Sequence, residues 1–281
     1  MTKTNQQKVK DFLINNGVII VMFILVIYTG FTSDNFFTKN NFMNILMNMS
    51  SRLVIALGIA GCVITAGCDL SAGRMIGFGA CISGMLLQRM DYSGKFFPDM
   101  QPLNVFVVAL IAMLVCAAFG TVTGFFIAYL NVPPFIATLA MMEIVYGIGL
   151  IVTNATPLGG YVEQYTNVSN GKFLGINYLI WIAIIVAAIT WFIFNMTRHG
   201  KYMYAIGGNP QAAEVAGVPV KATLILIYMK AAAMYGLAGF MLGAKAGGAS
   251  VQTGYGYEME AIAACTIGGV SVTGGRGKVS S

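Results

Sequence analysis

The sequence predicts an all-α, polytopic transmembrane helix bundle, on three observations. Apolar residues make up 57% of the chain and charged residues only 9%, against roughly 25% charged in an ordinary soluble protein. The apolar excess is gathered into runs long enough to cross a bilayer, about 20 helical residues each. Glycine is abundant, with 34 residues, and several (Gly58, Gly61, Gly77, Gly120) fall inside those runs, where small residues let helices approach closely.

The first run, Val18 to Phe31, follows Lys3, Lys8 and Lys10. It has the outline of a signal peptide, but no small-residue cleavage site follows, and "TSDNFFTKNNF" leads into another apolar stretch, so it is expected to be a retained span. Further spans are expected near 43–67, 71–88, 104–130, 134–153, 179–196 and 223–245, with an incomplete one from about 259. That makes about eight in a single membrane domain covering 1–281. The stretch 43–67 opens with the polar "NFMNILMNMSSR" and is expected to be tilted or broken. "NVPPF" at 131–135 divides the apolar stretch 104–150, because Pro133 and Pro134 do not both fit inside a regular helix.

Lys3, Lys8, Lys10, Arg198, Lys201 and Lys221 fall on one side of this arrangement. Lys39, Arg89, Lys95 and Lys172 fall on the other, a modest bias that places the N-terminus and the 197–222 loop in the cytoplasm. The net charge of +6 is spread too thinly over membrane segments to form a nucleic-acid-binding face. Cys62, Cys68, Cys81, Cys116 and Cys265 lie in or beside apolar runs without CxxC spacing, and the one histidine, His199, makes no metal set with them. They read as small buried hydrophobes.

The loop "YAIGGNPQAAEVAGVPVKAT", 204–223, stands out between two apolar spans. Asn209 suits an N-cap, Pro210 the first helical position and Gly217 the C-terminal stop. The helix between them is about two turns, well short of the ~12–15 residues an isolated helix needs in water, so something must hold it. Ala212, Val215 and Ala216 share a face small enough to enter a partner's groove, while Glu214 points elsewhere. A loop that merely happens to be helical is the plainer alternative. Gly207 and Gly208 belong to no GxxxxGK[ST] pattern, which argues against a nucleotide site in this chain.

"TRHGKYMYAIGGNPQAAEVAGVPV" resembles the cytoplasmic coupling loop of permease subunits in bacterial sugar ABC importers of the ribose/galactose branch. Three further segments agree in order: "ALGIAGCVITAGCDLSAGRMIGFGA" (56–80), "AYLNVPPFIATLAMMEIVYGIGLI" (128–151) and "GYEMEAIAACTIGGVSVTGGRG" (256–277). "DLSAGR" and "AYLNVPPFIATL" favour the galactose/methyl-galactoside members. The resemblance implies a multi-pass inner-membrane subunit working as a pair of copies. It implies an extracytoplasmic sugar-binding protein and a cytoplasmic ATP-binding subunit that holds the ATP and magnesium, with no cofactor and no catalysis in this chain. Gly207, Gly208, Asn209, Ala212, Ala213, Glu214 and Gly217 become the expected coupling residues. The substrate expected is galactose or a galactoside, with ribose, another pentose or a nucleoside as alternatives. Such permeases run to about ten spans, so this chain is expected to be C-terminally incomplete.

Asp69 in "GCDLSAGR" falls at membrane depth, where a carboxylate costs at least ~2.5–3.5 kcal/mol. Arg74 is a candidate partner, and capping of the next helix by Asp69, with Ser71 beside it, is the alternative to sugar contact. Glu143 and Lys230 are departures from the family pattern that suggest an ion pair between spans or, for Glu143, a place on the sugar path. Lys245, Tyr257, Glu258 and Glu260 are expected where the chain turns back near the outer surface. From a different class, an ion-coupled secondary transporter would use Asp69, Glu143 and Lys230 as a relay. A membrane enzyme finds no nucleophile–base set.

Overall fold

A computed structural model describes residues 17–33 and 35–279; Lys3, Lys8 and Lys10 lie outside them. The chain divides into two compact units after Leu46. In the first, helix α1 (Gly17–Thr32) is apolar and exposes Val21 to Tyr28 along its length, as a span facing lipid does. Thr29 and Thr32 return their hydroxyls to the carbonyls of Leu25 and Tyr28 at 2.8 and 3.0 Å. A turn with Phe36 edge-on to Phe37, centroids 5.1 Å apart, precedes α2 (Lys39–Ile64).

The second unit continues with the remainder of α2 and then α3 (Ala72–Leu86), α4 (Val105–Tyr129), α5 (Pro134–Val152) and α6 (Glu163–Asn170). A two-residue hairpin, β1 (Lys172–Phe173) and β2 (Ile176–Asn177), pairs Lys172 with Asn177. It is followed by α7 (Tyr178–Met196), α8 (Arg198–Gly208), α9 (Pro210–Val215), α10 (Val220–Ala246) and α11 (Tyr257–Ile267). The ends follow local chemistry. Asn104 and Asn177 cap α4 and α7, accepting from the second helical N–H at 2.9 and 2.8 Å. The expected break at "NVPPF" forms with Asn131 in the left-handed region and Pro134 opening α5.

Among the described residues, five helices are long and apolar enough to span a membrane: α2, α4, α5, α7 and α10. About eight spans are expected from the sequence, with the last incomplete; the count differs because α1, at sixteen residues, and two later segments are shorter. The segment expected as span 71–88 is a fifteen-residue helix, α3, about 22 Å long. The segment from 259 is the eleven-residue α11, about 16 Å long. Neither crosses a 30 Å hydrocarbon core alone.

α10 is the central post, with α4 and α3 packed along it. Glycine permits the approach. A Cβ at Gly236 would sit 2.5 Å from the Ala112 carbonyl oxygen of α4, and one at Gly239 would sit 2.7 Å from the Ala80 nitrogen of α3. On α4, Gly120 and Gly124 lie against the backbone of Tyr228 and Ile225. Such contacts replace the hydrophobic drive that lipid cannot supply.

Two ends can be distinguished: one carrying α9, the other carrying the hairpin. α10 runs from the α9 end to the hairpin end, and α2 runs the opposite way, with Gly58 beside Tyr235 and Gly61 beside Ile227. After α2 the chain doubles back through 65–71 and starts α3 level with the middle of α10, where Tyr235 reaches Asp69. After α10 it doubles back through 247–256. Ala249 bridges to Leu158, Val251 and Thr253 pass Gly77, and Gly254 reaches Gly73, where α11 starts. The same plan thus occurs twice with opposite direction: a long helix, an irregular return to mid-depth, then a half-helix. The two half-helix starts meet at Gly73, where an added Cβ would run into the Glu258 carboxylate.

Candidate functional site

At the α9 end, Thr197 caps α8, accepting from the Gly200 N–H at 3.3 Å. Asn209 then caps α9 as expected, accepting from the Ala212 N–H at 3.0 Å. The stop is a double hydrogen-bonded turn: Val218 N–H to the Ala213 carbonyl and Gly217 N–H to that of Glu214, both 3.0 Å, with Gly217 at φ +83°. The face proposed from spacing is outward, with Ala212, Glu214 and Ala216 exposed and Val215 91% exposed. Two expected coupling residues are turned inward. Ala213 is only 5% exposed. Gly207 is buried against the Ile64 carbonyl at the end of α2 and the Gly275 nitrogen beside it. The Gly275 N–H also donates to Ile64 O at 2.8 Å, and the Tyr204 hydroxyl donates to Gly277 O at 2.9 Å. Gly207 is therefore a notch for residues 274–277, while Gly208 stays exposed. Val215, legible in the spacing of the short helix but absent from the expected coupling residues, is the most exposed apolar side chain of α9.

His199 of α8 and Lys230 of α10 line one crevice together with Gly61, Phe194 and Met203. Burial first, and the Lys230 ammonium second, push the imidazole down to about 4. The Glu143–Lys230 pair expected from sequence does not form: Lys230 faces His199, and Glu143 is exposed on the outer face of α5. The two residues project from α10 and α5 toward different surroundings, which sequence spacing between separate helices does not encode.

At mid-depth, Asp69 is 1% exposed. Its Oδ1 accepts from the Ser71 N–H and hydroxyl at 3.0 and 2.6 Å, and its Oδ2 accepts from the Tyr235 hydroxyl at 3.2 Å. The expected pairing with Arg74 is corrected: one turn into α3, Arg74 is carried to the other side, where its Nη1 donates to Gln252 Oε1 at 2.7 Å and to Val251 O at 3.4 Å. Capping is corrected in detail too. Ser71 occupies the N-cap position of α3, and Asp69 closes the turn just before it.

The Arg74 guanidinium lies between two rings, 3.9 Å from the centroid of Tyr146 and 4.3 Å from that of Tyr255. Gln252 Nε2 donates to the Tyr146 hydroxyl at 3.1 Å, closing the cluster. Glu258 is buried at the start of α11, accepting from the Gly256 N–H at 3.1 Å. Tyr257 is half-buried beneath Arg52, whose Nε donates to Glu260 at 2.8 Å. The expectation that Tyr257 and Glu258 lie near the outer surface is corrected: they stand level with Gly73, midway along the bundle. Lys245, at the end of α10, bonds Asn48. Tyr146, Gln252, Tyr255 and Tyr235 escaped the sequence reading. An aromatic residue in an apolar span and a polar residue in a presumed turn carry no distinguishing local signal.

Irregular backbone at membrane depth is tolerated only where it is buried in protein or lines water. A spanning bundle that holds two such breaks side by side, and presents a capped helix at one end, is built as a membrane transport subunit. The chain belongs to the family described as branched-chain amino acid transport system/permease component, whose model matches residues 41–276. It is 40% identical over 286 residues to the galactose/methyl galactoside import permease protein of Escherichia coli (strain K12), covering 99% of this chain and 85% of that protein. The same named protein of Haemophilus influenzae is 41% identical with the same coverages. The ribose import permease protein of Escherichia coli (strain K12) is 32% identical, covering 96% of this chain and 82% of that protein. No solved structure gives a significant match.

Proposed function

We propose that this chain is the membrane-spanning subunit of an ATP-driven, binding-protein-dependent importer for galactose or a galactoside. The 40% and 41% relatives named for galactose/methyl galactoside import support the substrate; ribose is the second reading, supported by the 32% relative. An extracytoplasmic receptor delivers the sugar, and a second copy of the chain completes the path. A cytoplasmic ATP-binding subunit holds ATP and magnesium and docks on α9. The basic residues Arg198, Lys201 and Lys221 support a cytoplasmic α9 end and, with it, a cytoplasmic N-terminus.

The observation that carries the coupling role is the outward face of α9, a six-residue helix with Val215 almost wholly exposed. So short a helix gains little stability alone, and an exposed apolar knob on it suits a partner's groove. Movement of α9 has a direct route inward, because α8 seats Gly207 on Ile64, the last residue of α2 before the first return segment.

Replacing Val215 by Arg tests this. The ATP-binding subunit is expected to co-purify at least tenfold less, while the thermal midpoint of the permease stays unchanged. Normal co-purification would overturn the docking assignment. Ala213→Arg is the less informative variant, since Ala213 is buried in the chain itself.

A further inference from the structure

We infer that Arg74, Tyr146, Gln252 and Tyr255 form a sugar-contact station on the transport path, an inference that rests on the importer reading above. Tyr255 is 59% exposed and Gln252 is exposed, and both belong to the irregular segment 247–256 at mid-depth. Lipid is a costly cover for an exposed amide and a break in the helix at that level, so on this inference the surface lines the water-filled path. Glu143, exposed three residues before Tyr146 on α5, marks the same face as polar.

The chemistry of the cluster fits a neutral polyol. Two tyrosine rings offer apolar faces of the kind a pyranose C–H surface packs on, and their hydroxyls hydrogen-bond. Arg74, a planar donor, and Gln252, a planar donor and acceptor, are held at fixed geometry by one another, at 2.7 Å, and by Tyr146. The positive charge does not make an anion site. The buried Glu258 carboxyl meets α3 at Gly73, the residue before Arg74, and the guanidinium is already bonded to Gln252 and Val251.

Arg74 also has a reason to stay in place while sugar passes. Its Nε–H is buried without an acceptor, an arrangement offset by cation–π attraction to both rings. Tyr255 projects from the return segment and Tyr146 from α5, so the station joins two separate elements.

The test uses the full complex of permease, ATP-binding subunit and receptor in membranes, and measures uptake of galactose and of its single-position deoxy analogues at saturating concentration. Gln252→Ala and Tyr255→Ala are expected to slow galactose uptake at least tenfold. They should also shrink the preference for galactose over one deoxy analogue at least threefold. A general folding defect would slow all sugars alike, so unchanged ratios for every analogue overturn the inference. Should a variant not assemble, Gln252→Cys in the same complex decides by reaction with a water-soluble methanethiosulfonate: modification slowed by transported sugar supports the station. A site that stays unmodified, or whose modification is indifferent to sugar, overturns it. If the unaltered chain moves neither galactose nor ribose, the importer reading itself has failed. Modification of the cysteine then shows only whether the face is wet.

Discussion

Between α2 and α3 the chain doubles back through residues 65–71, and between α10 and α11 it does so through residues 247–256. Both returns end at mid-depth and launch a half-helix, yet their polar groups are handled differently. In the first, Asp69, Leu70 and Ser71 are buried, and Asp69 accepts three hydrogen bonds from two residues. Thr138 of α5 donates to the Cys68 carbonyl at 3.3 Å. In the second, Ser250 and Thr253 tie the backbone to itself, while Gln252 and Tyr255 stay at the surface. A sealed network specifies geometry; an open one remains available to something that passes. Asp69 is thus sealed within the bundle, whereas the 252–255 face, on which the inferred sugar station is built, stays open.

The largest expected effect breaks the contact between the two returns. Gly73→Leu would push a side chain into the Glu258 carboxylate and to within 3.0 Å of the Gly254 carbonyl. Loss of a monodisperse peak on size-exclusion chromatography in detergent is the expected outcome. A folded Gly73→Leu protein would mean that the half-helices do not meet as closely as described.

The next effect separates sealed from open directly. Asp69→Ala strands the Tyr235 hydroxyl and both Ser71 donors, at a cost of about 1–3 kcal/mol for groups left unsatisfied. Gln252→Ala removes two hydrogen bonds at the surface, where Arg74 keeps the Val251 carbonyl and the Tyr146 hydroxyl is left at an exposed cluster, so it is expected to cost less than Asp69→Ala. Thermal midpoints of the two variants, measured side by side, give the answer, and equal midpoints would erase the distinction.

The smallest effect concerns α8, on which the sealed return rests through Gly207 and Ile64. Burial and the facing Lys230 hold His199 at about 4, below its ordinary 6.5. Between those values the unfolded chain takes up a proton that the folded chain does not. The stability contribution of His199 is therefore complete above pH 6.5 and is lost as the pH falls toward 4. Melting between pH 7 and pH 4.5 should show this slope, and His199→Gln should flatten it.

Much of the architecture was legible because its signals are local. The Asn209 cap, the Gly217 stop and the break at "NVPPF" each rest on a few consecutive residues whose backbone preferences are strong. "GCDLSAGR" was legible as a polar interruption at membrane depth. Its counterpart at 247–256 was not, because a glycine-rich stretch after a span looks like any surface turn. Arg74 illustrates the limit: Asp69 is five residues away in sequence, yet its hydrogen-bonding side-chain partner is Gln252. The Glu143–Lys230 pair failed for the same reason.

The sequence by itself determined that the chain is a helical membrane permease, where most of its helices begin and end, and that 209–217 is a capped, outward-looking helix. These follow from hydropathy, capping and breaker residues, which act within one or two helical turns. The tertiary structure alone decided that two half-helices meet at Gly73, that Asp69 is sealed by Tyr235, and that Arg74 stands between Tyr146 and Tyr255. Those contacts depend on how closely glycine lets α3, α4 and α10 approach and on where the two returns stop. Such distances are set by the packing of the whole bundle rather than by any one stretch of it.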